Sequence, residues 1–112
     1  MPLACKNSKS KYGAKPVVID SIRFASMAEG KRYSELKLLQ QAGEIRALTC
    51  HPKFSLDVND IHVCTYIADF AYRETKNNLW IVEDVKGVRT ALYALKKKLM
   101  RACLGIEIVE IR

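Results

Sequence analysis

The sequence has no apolar run that approaches the ~18–20 residues of a membrane-spanning helix. Its opening segment, MPLACKNSKSKYGAK, is basic and lacks the apolar core of a signal peptide. It also shows no internal repeat and no low-complexity segment. These absences argue against a membrane protein and against a secreted one, so we expect a cytoplasmic protein.

Cysteine and histidine are too few and too scattered to predict a disulfide framework or a zinc site. The four cysteines, at positions 5, 50, 64 and 103, form no CxxC pair. We expect free thiols, with Cys64 and Cys103 in the core. The two histidines, His51 and His62, have no cysteine or histidine partner at ligand spacing, so we expect structural roles for both.

Basic residues outnumber acidic ones, 19 to 12, which gives a formal net charge of +7. Lysine and arginine replace the counterions that condense on phosphates, so clustered basic residues predict a polyanionic partner. A solvated helix face together with a flexible tail is the alternative explanation. The two clusters are Lys6, Lys9, Lys11 and Lys15 near the start, and Lys96, Lys97, Lys98 and Arg101 near the end.

The length of 112 residues is enough for one domain with one core. We expect a flexible basic arm, residues 1–15, followed by a single domain, residues 16–112. The order of helix, several strands, helix and strand indicates a mixed sheet flanked by helices, in an α/β or α+β fold. The predicted helices are 26–43 and 90–103, and the predicted strands are 17–24 (possible as a hairpin), 44–49, 53–58, 62–73, 79–86 and 106–111.

Capping residues mark the ends of both predicted helices. Ser26 is a preferred N-cap, and Glu29 three residues later completes a capping box. Gly43 is a natural stop for the first helix, and Thr90 and Gly105 bound the second. The residues expected to face the core are Tyr33, Leu36 and Leu39 in the first helix and Leu92, Leu95, Leu99 and Cys103 in the second.

Three charged residues stand in two strands that otherwise look buried, Asp69 in the first strand and Asp84 and Lys86 in the second. Side chains alternate along a strand, so Asp84 and Lys86 share one face and Glu83 takes the other. Apolar residues on both faces indicate central strands. A hairpin through ETKNN would place Asp69 roughly opposite residues 81–84, within reach of Asp84.

Two chemical interpretations of these charges stay open from the residues alone. Two neighbouring carboxylates repel each other unless one is protonated or a cation lies between them. Mg²⁺ favours carboxylate and water oxygens, and Lys86 could orient or deprotonate an attacking water, a set suited to phosphodiester hydrolysis. In the structural alternative, Asp84 and Lys86 form a salt bridge and backbone donors satisfy Asp69.

An aspartate in one strand and the segment DVK in the next strand resemble the motif of the PD-(D/E)XK, or restriction-endonuclease-like, nuclease superfamily. Asp69 matches the first acidic position and residues 84–86 the (D/E)xK element, although Ala68 stands where proline is usual. The order α-β-β-β-α-β also matches that fold. The chain resembles still more closely a family of small phage and prophage proteins, domain of unknown function 1064, over about residues 11–112. The segments that carry this resemblance are KYGAK (11–15), S-x-x-E-x-x-R-Y-x-E-L (26–36), AGEI (42–45), PKF (52–54), Y-I-A-D-F-x-Y (66–72), VEDVKG (82–87) and T-x-x-Y-x-L-K-x-K (90–98).

The resemblance implies a catalytic set and a cofactor. Glu29, Asp69 and Asp84 would hold Mg²⁺, with Mn²⁺ as a substitute. The backbone carbonyl of Val85 would be a further ligand, and Lys86 would position the attacking water. For Glu29, the capping box alone is the alternative explanation. The expected DNA-binding residues are Lys11, Lys15, Thr90, Lys96, Lys97, Lys98 and Arg101.

The function that the resemblance implies is a Mg²⁺-dependent DNA endonuclease in phage recombination or processing, located in the host cytoplasm. Few aromatic residues are available to stack on bases, so recognition should depend on phosphates and DNA shape. That favours a structure-selective enzyme, such as a resolvase of Holliday junctions or other branched DNA, for which a homodimer would suit paired cuts. The alternatives are a non-catalytic nucleic-acid-binding accessory protein on the same fold and a nuclease directed at RNA.

Overall fold

The computed structural model describes residues 15–87 and 89–112, and Lys11 lies outside them with most of the predicted basic arm. Neither helix in these ranges is long and apolar enough to cross a bilayer. The elements are β1 (Val17–Ile19), β2 (Ile22–Phe24), α1 (Met27–Gln41), β3 (Ile45–Cys50), β4 (Lys53–Val58), β5 (Ile61–Ile67), β6 (Phe70–Glu74), β7 (Trp80–Val85), α2 (Ala91–Leu104) and β8 (Ile108–Ile111).

The central sheet is mixed and has the strand order β3-β6-β7-β8. The β3–β6 and β6–β7 pairs are antiparallel, and the β7–β8 pair, which α2 connects, is parallel. β6 and β7 are therefore the central strands, as their apolar residues on both faces predict. The strands β1 and β2 form one hairpin, and β4 and β5 form another. This mixed sheet with two helices confirms the predicted α/β fold class.

The prediction of one continuous strand over residues 62–73 is wrong. The segment divides into β5, which pairs with β4, and β6, which belongs to the central sheet. At the break, the Ala68 N–H donates to the Pro52 carbonyl at 3.1 Å and the Asp69 N–H to the Glu83 carbonyl at 3.2 Å. The chain thus changes its backbone partners at this point, and Asp69 lies just before β6 instead of within a strand.

α1 begins and ends where its capping residues predict. The Ser26 Oγ accepts a hydrogen bond from the N–H three residues on, at 3.2 Å. Gly43 follows the helix with φ of 83°, a left-handed conformation that favours glycine. Tyr33 and Leu36 are buried as predicted, whereas Leu39 is 38% exposed.

α2 has the predicted caps, but the face that it presents to the sheet differs from the predicted one. Leu92 and Leu95 are 60% and 54% exposed, while Tyr93 and Met100 are buried. Leu99 is half-buried and packs against the core and Cys103 is half-buried, so the buried face is turned from the predicted stripe towards Tyr93 and Met100 but still includes part of it. Apolar residues occur on several sides of α2, so periodicity alone does not determine which side packs.

The core has one part on each face of the central sheet. α1 and the β1–β2 hairpin pack on one face around Phe24 and Phe70. α2 and the β4–β5 hairpin pack on the other face around Leu56 and Val82. The side chains of β7 alternate between these parts, so its two faces meet different helices.

The cysteines of the described residues are free, as predicted. Cys50, Cys64 and Cys103 have no disulfide partner there, and each is half-buried. The expectation that Cys64 and Cys103 lie in the core is therefore only partly met, because Cys64 packs at the edge of a core cluster and Cys103 is only half-buried. Cys5 lies outside the described residues.

Candidate active site

Two carboxylates meet where β6 begins and β7 ends. Phe70 pairs with Glu83 in the β6–β7 ladder, and the preceding Asp69 bonds the Glu83 carbonyl through its N–H. Asp69 therefore lies beside Asp84, close to the place that the hairpin register predicts.

A pocket of about 320 Å³ opens over this junction. Its walls come from the start of α1, the end of β5, the end of β7 and the start of α2. The structure thus brings together side chains that are far apart in the sequence. The sequence-predicted residues that line the pocket are Glu29, Asp69, Asp84, Val85, Lys86, Thr90 and Lys96.

Asp84 is buried at this pocket and is held by two polar neighbours. The Tyr66 hydroxyl donates a hydrogen bond to its Oδ2, and the Lys86 Nζ lies 3.2 Å from its Oδ1. The same ammonium lies 4.1 Å from the centroid of the Tyr93 ring, a cation–π distance. Burial, together with the hydrogen bond to Asp84, raises the pKa of Tyr66, so this hydroxyl remains a donor.

The pKa of Asp69 is raised well above its ordinary value. Its Oδ2 accepts a hydrogen bond from the Val85 N–H at 2.7 Å. Burial raises the pKa of Asp69 to about 8, the carboxylates of Glu29 and Asp84 add to the increase, and the Val85 N–H opposes it. At neutral pH the cluster therefore favours a proton or another cation on this carboxyl group.

Glu29 takes part in the helix start and also lines the pocket. Its N–H donates to the Ser26 side chain, and its own Oε1 lies 3.4 Å from the Ala25 nitrogen, so it contributes to the helix start. Its carboxylate also lines the pocket. Burial raises the pKa of Glu29, the Ala25 N–H opposes this, and the charge of Asp84 adds to it.

His51 is a member of the cluster that sequence reasoning assigned only a structural role. One donor atom from each of Glu29, His51 and Asp69 lies within 4.8 Å of the other two. His51 lies near Asp69 because β3 and β6 are neighbours in the sheet, and the His51 N–H donates to the Asp69 carbonyl at 2.9 Å. The only signal in the sequence is that His51 follows β3, the strand beside β6.

Glu83 points away from the pocket, as strand alternation predicts. It accepts hydrogen bonds from the Arg32 Nε at 2.8 Å and Nη2 at 2.6 Å, and from the Tyr72 hydroxyl. The Glu83 carboxylate and burial act in opposite directions on the pKa of Arg32, and the bond to Glu83 prevails and raises it. This buried ion pair joins α1 to β7 one helical turn beyond Glu29, so it positions the helix that carries the third carboxylate.

The predicted DNA-binding residues separate into two groups. Lys96 lies at the pocket, where its Nζ donates to the Thr65 carbonyl at 3.0 Å. Lys97 points to the β8 side and pairs with Glu110 at 3.1 Å. Arg101 pairs with Glu107 at 3.6 Å outside the pocket. Lys15 and Lys98 are exposed, and Lys11 lies outside the described residues.

Two tyrosines complete the pocket, and the sequence reasoning gave neither of them a role. Tyr66 reaches Asp84 from the neighbouring hairpin, and Tyr93 lies under Lys86 from α2. The motifs Y-I-A-D-F and T-x-x-Y contain both residues, but spacing alone does not reveal their contacts. The Tyr66 hydroxyl therefore helps to position Asp84, and the Tyr93 ring helps to position Lys86.

Both contacts of the structural alternative occur in the protein. Asp84 and Lys86 form a salt bridge, and the Val85 N–H satisfies one oxygen of Asp69. These contacts do not involve the carboxylate of Glu29, which lines the same pocket and adds to the increase that burial causes in the pKa of Asp69. The arrangement is richer in carboxylates than a structural salt bridge requires.

The fold and the site define a class, a mixed α/β domain with a carboxylate cluster and a lysine at the junction of its two central strands. The chain belongs to the family described as Protein of unknown function (DUF1064), whose model matches residues 9–105. The closer of the two resemblances in the sequence is therefore confirmed. No curated protein and no solved structure shows significant similarity to the chain.

The substitution Asp69→Asn is expected to stabilise the metal-free protein. The pKa of Asp69 is about 8 in the folded protein, above its usual value of about 3.9. The folded state therefore binds more protons than the unfolded state between these values, and stability falls as the pH rises through this window. Asparagine removes that dependence and keeps an oxygen for the Val85 N–H. In thermal denaturation at pH 8, we expect a melting temperature higher by about 5–10 °C, with a smaller gain at pH 5.

The matched control is Asp57→Asn, the same change at an exposed aspartate of the β4–β5 hairpin. Hydrogen bonds from Ser55 and His62 lower the pKa of Asp57, so this substitution should give no gain at either pH. A melting temperature of Asp69→Asn that falls with pH as steeply as that of the wild type would contradict the assignment of the raised pKa to this residue.

Proposed function

We propose that this protein is a metal-dependent endonuclease that hydrolyses phosphodiester bonds in DNA, with a restriction-endonuclease-like core. The observation that carries the proposal is the convergence of Glu29, Asp69 and Asp84 with Lys86 in one open pocket. A domain that only bound nucleic acid would have no need of three carboxylates at the point of contact, because they repel phosphates.

The donor set fits a hard divalent cation. Carboxylate and carbonyl oxygens are the ligands that Mg²⁺ prefers, and a cation would offset the burial and the charge repulsion that together raise the pKa of Asp69. Glu29, Asp69 and Asp84 would hold the ion, with the Val85 carbonyl as a further candidate. When bound, Mg²⁺, or Mn²⁺ as a substitute, would activate a nucleophile and neutralise charge at the scissile phosphate.

Lys86 is the group of the chain that acts on the reacting atoms in this proposal. Its ammonium carries three N–H donors and no acceptor, so it can orient an attacking water and stabilise negative charge on the phosphate. The bond to Asp84 and the Tyr93 ring hold it at the pocket. Because the ammonium is already positioned, little reorganisation is needed during the reaction.

Branched DNA is the proposed substrate, in phage recombination or DNA processing in the host cytoplasm. The net charge of +7 favours a polyanion, and Lys96 beside the pocket could contact a phosphate. The tyrosines of the described residues are buried and Trp80 does not line the pocket, so we expect phosphate contacts and DNA shape to determine recognition. A homodimer would suit paired cuts at a Holliday junction.

A non-catalytic nucleic-acid-binding protein on the same fold is the second candidate. The observation that favours it is that Asp84 and Asp69 already have protein partners, in Lys86 and in the Val85 N–H. A binding protein would keep these contacts and use the basic residues alone.

The test is cleavage of labelled duplex, flap and four-way-junction DNA in Mg²⁺ or Mn²⁺, with the wild type beside Asp84→Ala. We expect metal-dependent cleavage by the wild type, most rapid on the branched substrates, and none by the variant. RNA of the same shapes tests the choice of nucleic acid.

The matched control is Asp57→Ala, which removes an exposed aspartate of the β4–β5 hairpin away from the pocket. It should cleave as the wild type does. Binding without cleavage, equal in the wild type and in Asp84→Ala, would reject the nuclease and support the binding protein.

A further inference from the structure

His51 brings an imidazole to the carboxylate cluster. The donor atoms of Glu29, His51 and Asp69 all lie within 4.8 Å of one another. Two ligands about 2.1 Å from one ion lie about 3.0 Å apart in a cis arrangement and about 4.2 Å apart in a trans arrangement. Small rotations of the side chains would therefore bring all three groups into the coordination shell of a single ion.

The position of His51 is determined by the backbone and by packing. Cys50 pairs with Phe70 in the β3–β6 ladder. His51, which follows Cys50, and Asp69, which precedes Phe70, are joined by a hydrogen bond from the His51 N–H to the Asp69 carbonyl. His51 has φ of 54°, in the left-handed region that few residues other than glycine and asparagine adopt. Its ring packs 5.7 Å from the ring of Phe24, which limits its rotation.

The chemistry of the ring differs from that of the carboxylates. A neutral imidazole offers a nitrogen lone pair to a metal ion, whereas a carboxylate offers oxygens. Imidazole nitrogen suits first-row transition ions, and Mn²⁺, the weakest binder of them, accepts it beside carboxylates, whereas Mg²⁺ favours oxygen ligands and dehydrates reluctantly. A mixed set of one nitrogen and two carboxylates thus discriminates between these ions.

We propose that His51 is a metal ligand, which with Glu29 and Asp69 makes this site prefer a first-row transition ion such as Mn²⁺ over Mg²⁺. This inference rests on the proposed function in one respect, namely that the carboxylate cluster binds a divalent ion. It adds a ligand and an ion preference that the carboxylates alone do not provide.

The test is pulsed electron paramagnetic resonance of the Mn²⁺-loaded protein, grown with ¹⁵N-labelled histidine and free of any histidine tag. A coordinated imidazole gives a ¹⁵N modulation of the Mn²⁺ signal. Since the chain contains only two histidines, the assignment needs only two variants. We expect the modulation in the wild type and in His62→Asn, and its loss in His51→Asn. Asparagine tolerates the left-handed backbone at this position, so the variant should fold.

Calorimetric titration with Mn²⁺ and with Mg²⁺ provides a second measurement. His51→Asn should weaken Mn²⁺ binding about tenfold or more, and Mg²⁺ binding by less than about threefold. Control variant His62→Asn alters an exposed histidine that contacts Asp57 and should leave both affinities unchanged.

The outcomes separate this inference from the proposed function. Mn²⁺ binding that depends on Asp69 but shows no ¹⁵N modulation in the wild type would overturn the role of His51 and leave the nuclease intact. A loss of Mn²⁺ and Mg²⁺ affinity by the same factor in His51→Asn would also overturn it. No binding of either ion to the wild type would reject both proposals.

Discussion

Replacing Lys86 with alanine is expected to lower DNA cleavage by about 10³-fold, while DNA affinity changes by less than about threefold. The Lys86 ammonium lies 3.2 Å from the Asp84 Oδ1, at the place where a scissile phosphate would meet the carboxylates. In the proposed nuclease, the charge that Lys86 would stabilise develops in the transition state, so its loss would affect the chemical step. Binding depends on many phosphate contacts and tolerates the loss of one. Single-turnover cleavage and fluorescence anisotropy with a four-way junction measure the two effects separately.

The matched control is Lys76→Ala, which removes an exposed lysine from the turn at the far end of β6 and β7. Both rate and affinity should stay within about twofold of the wild-type values. Cleavage and affinity that fall by the same factor in Lys86→Ala would count against a catalytic role, because that result would make Lys86 a binding residue.

Replacing Arg32 with methionine is expected to lower the free energy of unfolding by about 3–5 kcal/mol. Arg32 makes two hydrogen bonds to Glu83, whose side chain is only 1% exposed. Without the guanidinium, the buried carboxylate keeps, among the residues that the structure describes, only the hydroxyl of Tyr72 as a hydrogen-bond partner. Urea denaturation monitored by circular dichroism measures the loss.

A second substitution shows whether the unpaired charge causes that loss. In the double variant Arg32→Met with Glu83→Met, most of the lost stability should return, since both charges are absent. Arg101→Met, at an arginine side chain that is 74% exposed and also lies on a helix, should cost less than about 0.5 kcal/mol. A double variant no more stable than the single one would mean that Arg32 acts mainly through packing and not through its charge.

The ion pair of Arg32 and Glu83 connects the stability of the fold with the geometry of the candidate site. Arg32 and Glu29 lie three residues apart on α1. Of these two residues, Arg32 is the one that bonds the buried Glu83 of β7. If α1 loosens, the carboxylate of Glu29 moves away from Asp69. We therefore expect that Arg32→Met weakens binding of divalent ions even under conditions where the variant remains folded.

Local patterns predicted the elements and much of the candidate site. The capping residues Ser26 and Thr90 begin the two helices, because a side-chain oxygen satisfies free N–H groups at a helix start whatever lies around it. The separation of Glu83 from Asp84 on opposite faces follows from the period of two in a strand. The hairpin between β6 and β7 then places Asp69 beside Asp84.

Other features could not be predicted because they depend on contacts between distant segments. The leucine stripe of α2 is a regular pattern, yet Leu92 and Leu95 are exposed and the helix packs mainly through Tyr93 and Met100. The break before β6 arises because the backbone at Ala68 bonds Pro52 and the backbone at Asp69 bonds β7. Neither partner is visible in the local sequence.

By itself, the sequence determined the α/β fold class, the helix ends, the faces of β7 and the identity of the carboxylates and the lysine. All of these follow from local spacing, from side-chain capping or from recognisable motifs. Only the tertiary structure decided that His51, Tyr66 and Tyr93 join the cluster and that Arg32 closes on Glu83. These contacts join residues that the chain carries far apart, and they form only when the sheet and both helices pack together.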